Sequence, residues 1–572
     1  MARQIKVVMA QLNLEVGDIE SNTTKLIESA KQAISLYAAD IIAFPELTLT
    51  GYPPEDLLLR PSLAIRVEKA MNRILSENIG IYMVVGYPEK QGNKLYNSLT
   101  VIKGRDRLGN YRKQCLPNYQ VFDERRYFDQ GDEACLLKIA GADIAFTICE
   151  DMWEQGPMRQ ARDAGAQLMI NINASPYHIN KLAQRTQLLQ ERAAEGGFPI
   201  IYVNLLGGQD ELVFDGASMA MTAEGKCHYL APSFEEGLFE VTVEIDEEKP
   251  VARCKIPLQS VAVNQSIEAQ VYQSLVLGVR DYTNKNRFRG VVLGLSGGID
   301  SALTLAIAVD ALGPDRVHAV MMPFDYTSQL SLDAAAQQAE DLGVDYRVIS
   351  IAGIYSAFIA ALRFEFADTE VDVSEQNIQA RCRGVLLMAI SNKKGLLVLT
   401  TGNKSEIAVG YSTLYGDMAG GFDVLKDVSK TLVYRLASYR NSEYCSPANP
   451  SISQQAISQQ AISQQAIPQQ AIPQQVIDRP PSAELAPDQL DQDSLPPYDQ
   501  LDQILELYVE NDYSADAIID EGFDETMVKR VLRLVDLNEY KRRQSPIGVR
   551  LTKRGFGRDR RYPITNAWPL GE

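Results

Sequence analysis

The chain has 572 residues, 45% hydrophobic and 23% charged, the composition of an ordinary globular protein long enough for roughly two to four domains. Its net charge of -18 argues against a broad nucleic-acid or anionic-membrane surface, and no apolar run approaches the ~20 residues needed to span a bilayer. Seven cysteines without a C-x-x-C pair, three scattered histidines (His178, His228, His318) and no signal-peptide core after Met1 support neither a disulfide framework nor a metal cluster, and lead us to expect a reduced, cytoplasmic setting.

Over the first ~260 residues, β-rich runs alternate with helical patterns. Ile5–Leu12, Ile41–Phe44, Ile81–Val85, Tyr96–Ile102, Ile144–Ile148, Leu168–Ile172 and Ile200–Leu205 read as strands. Asn22–Tyr37 and Lys181–Ala194 have helical spacing, and Cys227–Leu230 and Leu238–Val243 read as closing strands. Pro250–Pro257 marks a boundary zone, predicting one domain over residues 1–258 and another over 259–572. From Ala262 a helix leads into the apolar strand Gly290–Leu295. Further strands follow at Val317–Met322, Tyr346–Ile349 and Leu396–Leu399, with helices between them. Such alternation predicts a doubly wound parallel sheet that binds ligands at the carboxyl ends of its strands. Ser451–Gln475 is a tandem pentapeptide repeat, SISQQ to AIPQQ. One isoleucine per five residues fits neither helix nor strand, so the segment is predicted to be a flexible, solvated insert.

Directly behind Gly290–Leu295 stands Ser296-Gly297-Gly298-Ile299-Asp300-Ser301, followed by a helical pattern from Ala302 to Leu312. Glycines in a strand-to-helix turn let backbone amides approach an anion, which makes a phosphate cradle. It lacks the Lys-Ser/Thr of a Walker loop and the spacing of a dinucleotide fingerprint. The string resembles the pyrophosphatase loop of ATP-dependent adenylating synthetases.

In the first half, Glu46 lies just past one strand in Phe44-Pro45-Glu46-Leu47, and Cys149 just past another in Ile148-Cys149-Glu150-Asp151. Lys113 lies in Tyr111-Arg112-Lys113-Gln114-Cys115-Leu116-Pro117-Asn118-Tyr119. Amide hydrolysis by a thiol needs a nucleophile, a proton carrier and positive charge at the developing oxyanion, and these residues supply one of each. A Cys–His pair is the competing reading, with His178 its nearest candidate. Glu124 is either an additional catalytic glutamate or a surface salt-bridge residue. The three strings, in this order and spacing, resemble the nitrilase/amidase superfamily over most of residues 1–260. That resemblance implies an αββα sandwich with Cys149 as nucleophile, Glu46 as general base and Lys113 as oxyanion stabiliser.

A nitrilase-like domain joined to a Rossmann-like ATP-pyrophosphatase domain resembles the glutamine-dependent NAD synthetase family. Asn377–Arg383, Thr401–Glu406, Tyr415–Gly421, Pro480–Leu485 and Tyr540–Arg543 carry the likeness through the second half. The family implies that Tyr119, Ser175 and Lys181 hold glutamine. It implies that Gly294, Leu295, Ser296, Gly297, Gly298, Ile299, Asp300, Ser301, Thr401 and Lys430 contact ATP. Asn377, Arg381, Glu406 and Lys541 would contact deamido-NAD, and Asp300 and Glu406 would bind Mg2+ with the nucleotide. Ammonia from glutamine would amidate adenylated deamido-NAD, delivered through an internal tunnel in a homo-oligomer. The basic stretch Lys541–Arg561 then leans functional at Lys541. A synthetase acting on a purine nucleotide and an inactive scaffold are the rival readings; Tyr415–Gly421 and Pro480–Leu485 argue against the first, and intact Glu46, Lys113, Cys149 and SGGIDS against the second.

Overall fold

The computed structural model describes residues 3–246, 253–444, 470–482, 484–486, 489, 491–493 and 495–569. It divides into two compact units, Met1–Gln265 and Ser266–Glu572.

The first unit contains β1 (Arg3–Gln11), β2 (Ile41–Ala43), β3 (Ile79–Gln91), β4 (Lys94–Gly104), β5 (Asp106–Arg112), β6 (Cys135–Ile139), β7 (Ala142–Ile148) and β8 (Leu168–Asn173). It continues with β9 (Ile200–Asn204), β10 (Leu206–Gln209), β11 (Leu212–Asp215), β12 (Met219–Met221), β13 (Cys227–Leu230), β14 (Gly237–Asp246) and β15 (Arg253–Lys255). One sheet has the order β15-β14-β1-β2-β3-β4-β5 and a second β13-β12-β9-β8-β7-β6, with β10-β11 as a separate hairpin. The period-two geometry of a strand explains the layering. Val7 and Met9 of β1 share a core with Ile144, Phe146 and Ile148 of β7, from the other sheet. Their neighbours Val8 and Ala10 pack instead against Leu26 and Ala30 of the helix Ile19–Tyr37 and Met71 of the helix Pro61–Ser76. On the far face of the second sheet, Met169 and Tyr202 meet Met158, Leu189 and Ala193 of the helices Gln155–Asp163 and Lys181–Gly196. Strands buried on both faces read as continuous apolar runs. The result is an αββα sandwich.

The second unit is built on β16 (Val291–Gly294), β17 (Val317–Met321), β18 (Asp345–Val348), β19 (Leu397–Thr400) and β20 (Phe422–Asp423). Their order is β18-β17-β16-β19-β20, parallel throughout. The chain winds outward from β16 to β18, then returns to place β19 on the other side of β16. The switch point therefore falls between β16 and β19, where a doubly wound sheet opens a crevice. The leading helix begins at Ile267, not Ala262, because the Ser266 hydroxyl caps it by accepting from Ala269 N, while Ala262 N is bonded to Leu230 O. The helix behind the glycine loop begins at Ile299, so Asp300 and Ser301 belong to its first turn.

The repeat differs from expectation at its end. Residues 451–469 lie outside the described residues. The last copy, Ala471–Gln475, is not a solvated loop: Ala471 and Ile472 are buried, and Gln474–Asp478 is helical. Asn441 Oδ1 accepts from Ala471 N and Ile472 N at 3.0 and 3.1 Å, its Nδ2 donates to Ile472 O at 2.7 Å, and Gln338 Nε2 donates to Ala471 O at 3.0 Å. Buried partners satisfy this copy's backbone, which overrides its low-complexity composition. No helix among the described residues is long and apolar enough to cross a membrane.

Candidate active sites

In the first unit, Glu46 follows β2, Lys113 follows β5 and Cys149 follows β7, so strand ends from both sheets converge. Lys113 Nζ lies 2.8 Å from Glu46 Oε1 and 2.8 and 2.9 Å from the two oxygens of Glu124. Glu124 is therefore neither exposed nor a surface salt-bridge residue; it is buried against the lysine, with Tyr52 donating its hydroxyl to Oε1 at 2.9 Å. Glu46 also accepts from Asn97 Nδ2 at 2.7 Å and from Ala174 N at 3.0 Å. Cys149 is 5% exposed and adopts φ 44°, a left-handed turn uncommon outside glycine.

Burial, reinforced by the negative charge of Glu46, raises the Cys149 thiol well above its ordinary range against the pull of Lys113. The resting sulfur is a neutral thiol, and attack requires a base beside it. Burial would discharge Lys113, but Glu124 and Glu46 more than offset this and keep it an ammonium. Burial pushes the Glu124 carboxyl up to about 7. Around Cys149 the charged groups are thus carboxylates and one lysine. His178, the competing proton carrier, has its Nδ1 2.7 Å from Ile179 O.

Of the residues expected to hold glutamine, Tyr119 is half exposed and donates to both oxygens of Glu150 at 2.9 and 3.1 Å. Ser175 is buried, its amide bonded to Asn204 Oδ1 at 2.9 Å, and Lys181 Nζ lies 4.2 Å from the centre of the Trp153 ring. Glu150 and Asp151 were not singled out from sequence, although both stand inside Ile148-Cys149-Glu150-Asp151.

In the second unit, the loop after β16 borders a cavity of about 290 Å3. Gly297 has φ 81°, and a Cβ there would stand 2.4 Å from Ser331 O, so both backbone conformation and space demand glycine. The Ser301 hydroxyl braces the turn, 3.2 Å from Ser296 N and 3.1 Å from Ser296 Oγ. Every residue from Gly294 to Ser301 lines the cavity, as do Thr401, Glu406 and Lys430. Lys430 Nζ bridges Asp300 Oδ2 at 2.6 Å and Glu406 Oε1 at 2.9 Å. Asn403 Nδ2 orients Asp300 through Oδ1 at 2.9 Å. Two carboxylates thus already share one cation, a donor set of hard oxygens that suits a divalent ion.

Asn377, Arg381 and Lys541 do not line this cavity. They gather around the segment just past Glu406: Lys541 Nζ donates to Gly410 O and Ser412 O at 2.8 and 2.9 Å, Arg381 Nε to Leu414 O at 3.2 Å, and Thr413 Oγ1 donates to Asn377 Oδ1 at 2.8 Å. The charged cavity residues Arg383, Asp417, Arg479, Glu484 and Asp491 were not singled out from sequence. Arg383, Asp417 and Glu484 sit within the strings Asn377–Arg383, Tyr415–Gly421 and Pro480–Leu485, whereas Arg479 lies outside those strings, as does Asp491, which accepts from Tyr498 OH at 2.9 Å.

A carbon-nitrogen hydrolase family model matches residues 6–253, and an NAD synthase model matches residues 271–545. Across 99% of its length the chain is 46% identical to the glutamine-dependent NAD(+) synthetase of Acinetobacter baylyi, covering 99% of that protein. It is 47% identical to the protein of the same name from Xanthomonas campestris pv. campestris, over 99% of this chain and 98% of the relative. The solved structure of glutamine-dependent NAD+ synthetase from Acinetobacter baumannii in complex with adenosine diphosphate superposes with a TM-score of 0.75 at 44% identity, covering 100% of both chains.

Proposed function

The chain belongs to the glutamine-dependent NAD(+) synthetases, ligases that join a carbon-nitrogen hydrolase unit to an NAD synthase unit, and from that premise we propose how its residues divide the work. In the first unit, Glu46 takes the Cys149 proton and the sulfur adds to the side-chain carbonyl of glutamine. Lys113, held charged by Glu46 and Glu124, faces the oxyanion. Collapse of the adduct expels ammonia, which leaves with the proton carried by Glu46. Water then enters the thioester, and glutamate departs as the thiol is restored. Glu124, partly protonated near neutrality, is suited to exchange a proton with the entering water. Tyr119, Ser175 and Lys181 hold the amino-acid end of glutamine, with Glu150 as the counter-charge for its ammonium group.

In the second unit, the carboxylate of deamido-NAD attacks the α-phosphorus of ATP and pyrophosphate leaves against the amides of Ser296–Ser301. A carboxylate is a poor electrophile until its oxygen becomes a leaving group. Ammonia attacks the mixed anhydride, giving NAD and AMP. Thr401 and Lys430 contact ATP, and Asn377, Arg381, Glu406 and Lys541 contact deamido-NAD. Asp300 and Glu406 are suited to hold Mg2+, which when bound neutralises phosphate charge.

The observation that carries the glutamine half is the burial of Cys149, Glu46, Lys113 and Glu124 against one another at converging strand ends. Its test is NAD formation from deamido-NAD and MgATP, with either glutamine or ammonium, in the native chain and in Cys149→Ala. The variant should lose glutamine use and keep ammonium use; retained glutamine use removes Cys149 from the mechanism.

A homo-oligomeric state is supported by the exposed Phe358, Phe364, Val371 and Val385, on and after the helix Ala352–Leu362, whose Ile354, Tyr355, Ile359 and Leu362 pack against the core. Light scattering should return a multiple of the chain mass, and Phe364→Asp should lower it. A reduced, cytoplasmic setting agrees with the six described cysteines, all of them free.

A further inference from the structure

The nucleophile and the oxyanion lysine stand on different sheets, so no strand pairing fixes their separation. Cys149 follows β7 of the six-stranded sheet, and Lys113 follows β5, the edge of the seven-stranded sheet. Between the sheets lies apolar packing, which is non-directional. Something directional must set one catalytic segment against the other.

Asp151 crosses that gap. It is fully buried, and its carboxylate takes four donors. Oδ1 accepts from Gln114 N at 3.0 Å and Cys115 N at 2.8 Å. Oδ2 accepts from Ile148 N at 3.0 Å and Tyr111 OH at 2.8 Å. Three of the donors belong to the segment that carries Lys113, and the fourth is the residue before Cys149. The bond to Ile148 N also closes the turn in which Cys149 holds its left-handed conformation. The same side chain therefore shapes the elbow and ties it to the lysine loop.

We propose that Asp151 is a positioning residue of the glutamine-hydrolysing centre, its carboxylate holding the Cys149 elbow and the Lys113 loop in one register so that the oxyanion formed at the thiol meets the lysine. Asp151 touches no reacting atom. An asparagine cannot replace it, because one oxygen becomes an amide that faces donors. The loss falls on the transition state, where Lys113 acts, and not on the binding of glutamine by its far end.

The proposal rests on Cys149 as the nucleophile, and the experiment separates the two. Glutamine hydrolysis, labelling of Cys149 by iodoacetamide and ammonium-driven NAD formation are measured on the full chain and on Asp151→Asn, Tyr111→Phe and Cys149→Ala. Misplacing a catalytic group by about 1 Å lowers rates by roughly a hundredfold. Asp151→Asn is thus expected to lose about 30- to 100-fold in kcat, with KM for glutamine within about 3-fold. Its iodoacetamide labelling should slow by less than about 3-fold, because alkylation develops no oxyanion. Tyr111→Phe removes one donor of four and should lower kcat by roughly 3- to 5-fold. Ammonium-driven synthesis, carried out by the second unit, should stay at the native rate. A native kcat in Asp151→Asn overturns the proposal, as does an equal loss in kcat and labelling, which would mean general collapse of the elbow. Should Asp151→Asn fail to fold, Tyr111→Phe decides alone, a native kcat again overturning the idea. Glutamine-driven synthesis surviving in Cys149→Ala would remove the nucleophile assignment instead.

Discussion

Two deletions differing by a single repeat copy should have opposite outcomes. Removing residues 451–470 leaves Ala471 and Ile472 in their seats, whereas removing 451–475 takes out the whole last copy. The longer cut empties the position of a fully buried isoleucine, worth about 1.5–3 kcal/mol. It also breaks the three bonds to Asn441 and the one from Gln338, each contributing roughly 0.5–1.5 kcal/mol. The sum is about 4–9 kcal/mol, comparable with the whole stability of an ordinary domain. Shortening the loop itself changes closure entropy by only about 0.6 kcal/mol per halving. Thermal unfolding and ammonium-driven NAD formation provide the assay. The shorter deletion should match the native chain in both, and the longer should melt far lower and lose synthesis. If the two deletions behave alike, the buried seat of the last copy does not matter to the fold and the reasoning fails.

Gly297→Ala forces an L residue into φ 81° and sets a methyl 2.4 Å from Ser331 O. Left-handed strain of about 1–2 kcal/mol adds to overpacking of about 1–3 kcal/mol, and ammonium-driven synthesis should fall by roughly a hundredfold. Native activity would show that the loop's amides do not meet the phosphates. The Glu124 carboxyl offers a pH test, because in the folded chain it titrates up to about 7 against 4.5 for the free group. Between those values the folded protein binds the extra proton, so this group's contribution to stability falls as pH rises through the window and stays low above it. Glu124→Gln should flatten that part of a plot of melting temperature against pH; an unchanged slope contradicts the assignment.

The strands that carry the sites were legible because β1, β7, β8 and β9 are largely buried on both faces and so read as predominantly apolar, β-branched runs. β5 was not, since Asp-Arg-Leu-Gly-Asn-Tyr-Arg at a sheet edge exposes most of its residues. Lys113 was reached through its motif and not through the strand that presents it. Asp151 was in view beside Cys149, but its importance depends on Gln114 and Cys115, which only the packing of one sheet on another brings near. The five repeat copies are nearly identical, so nothing within them marks the last as different; Asn441 and Gln338, distant in sequence, make that choice.

A nucleophile kept as a neutral thiol, 5% exposed, is also chemically quiet. Peroxide attacks thiolates and needs access to them, so the resting enzyme offers it little of either. On the proposed mechanism the sulfur becomes most reactive when a substrate amide is bound and Glu46 accepts the proton, and by then the carbonyl is the nearest electrophile. The sulfur is therefore shielded from oxidants twice, at rest by its proton and its burial and during turnover by the carbonyl it attacks.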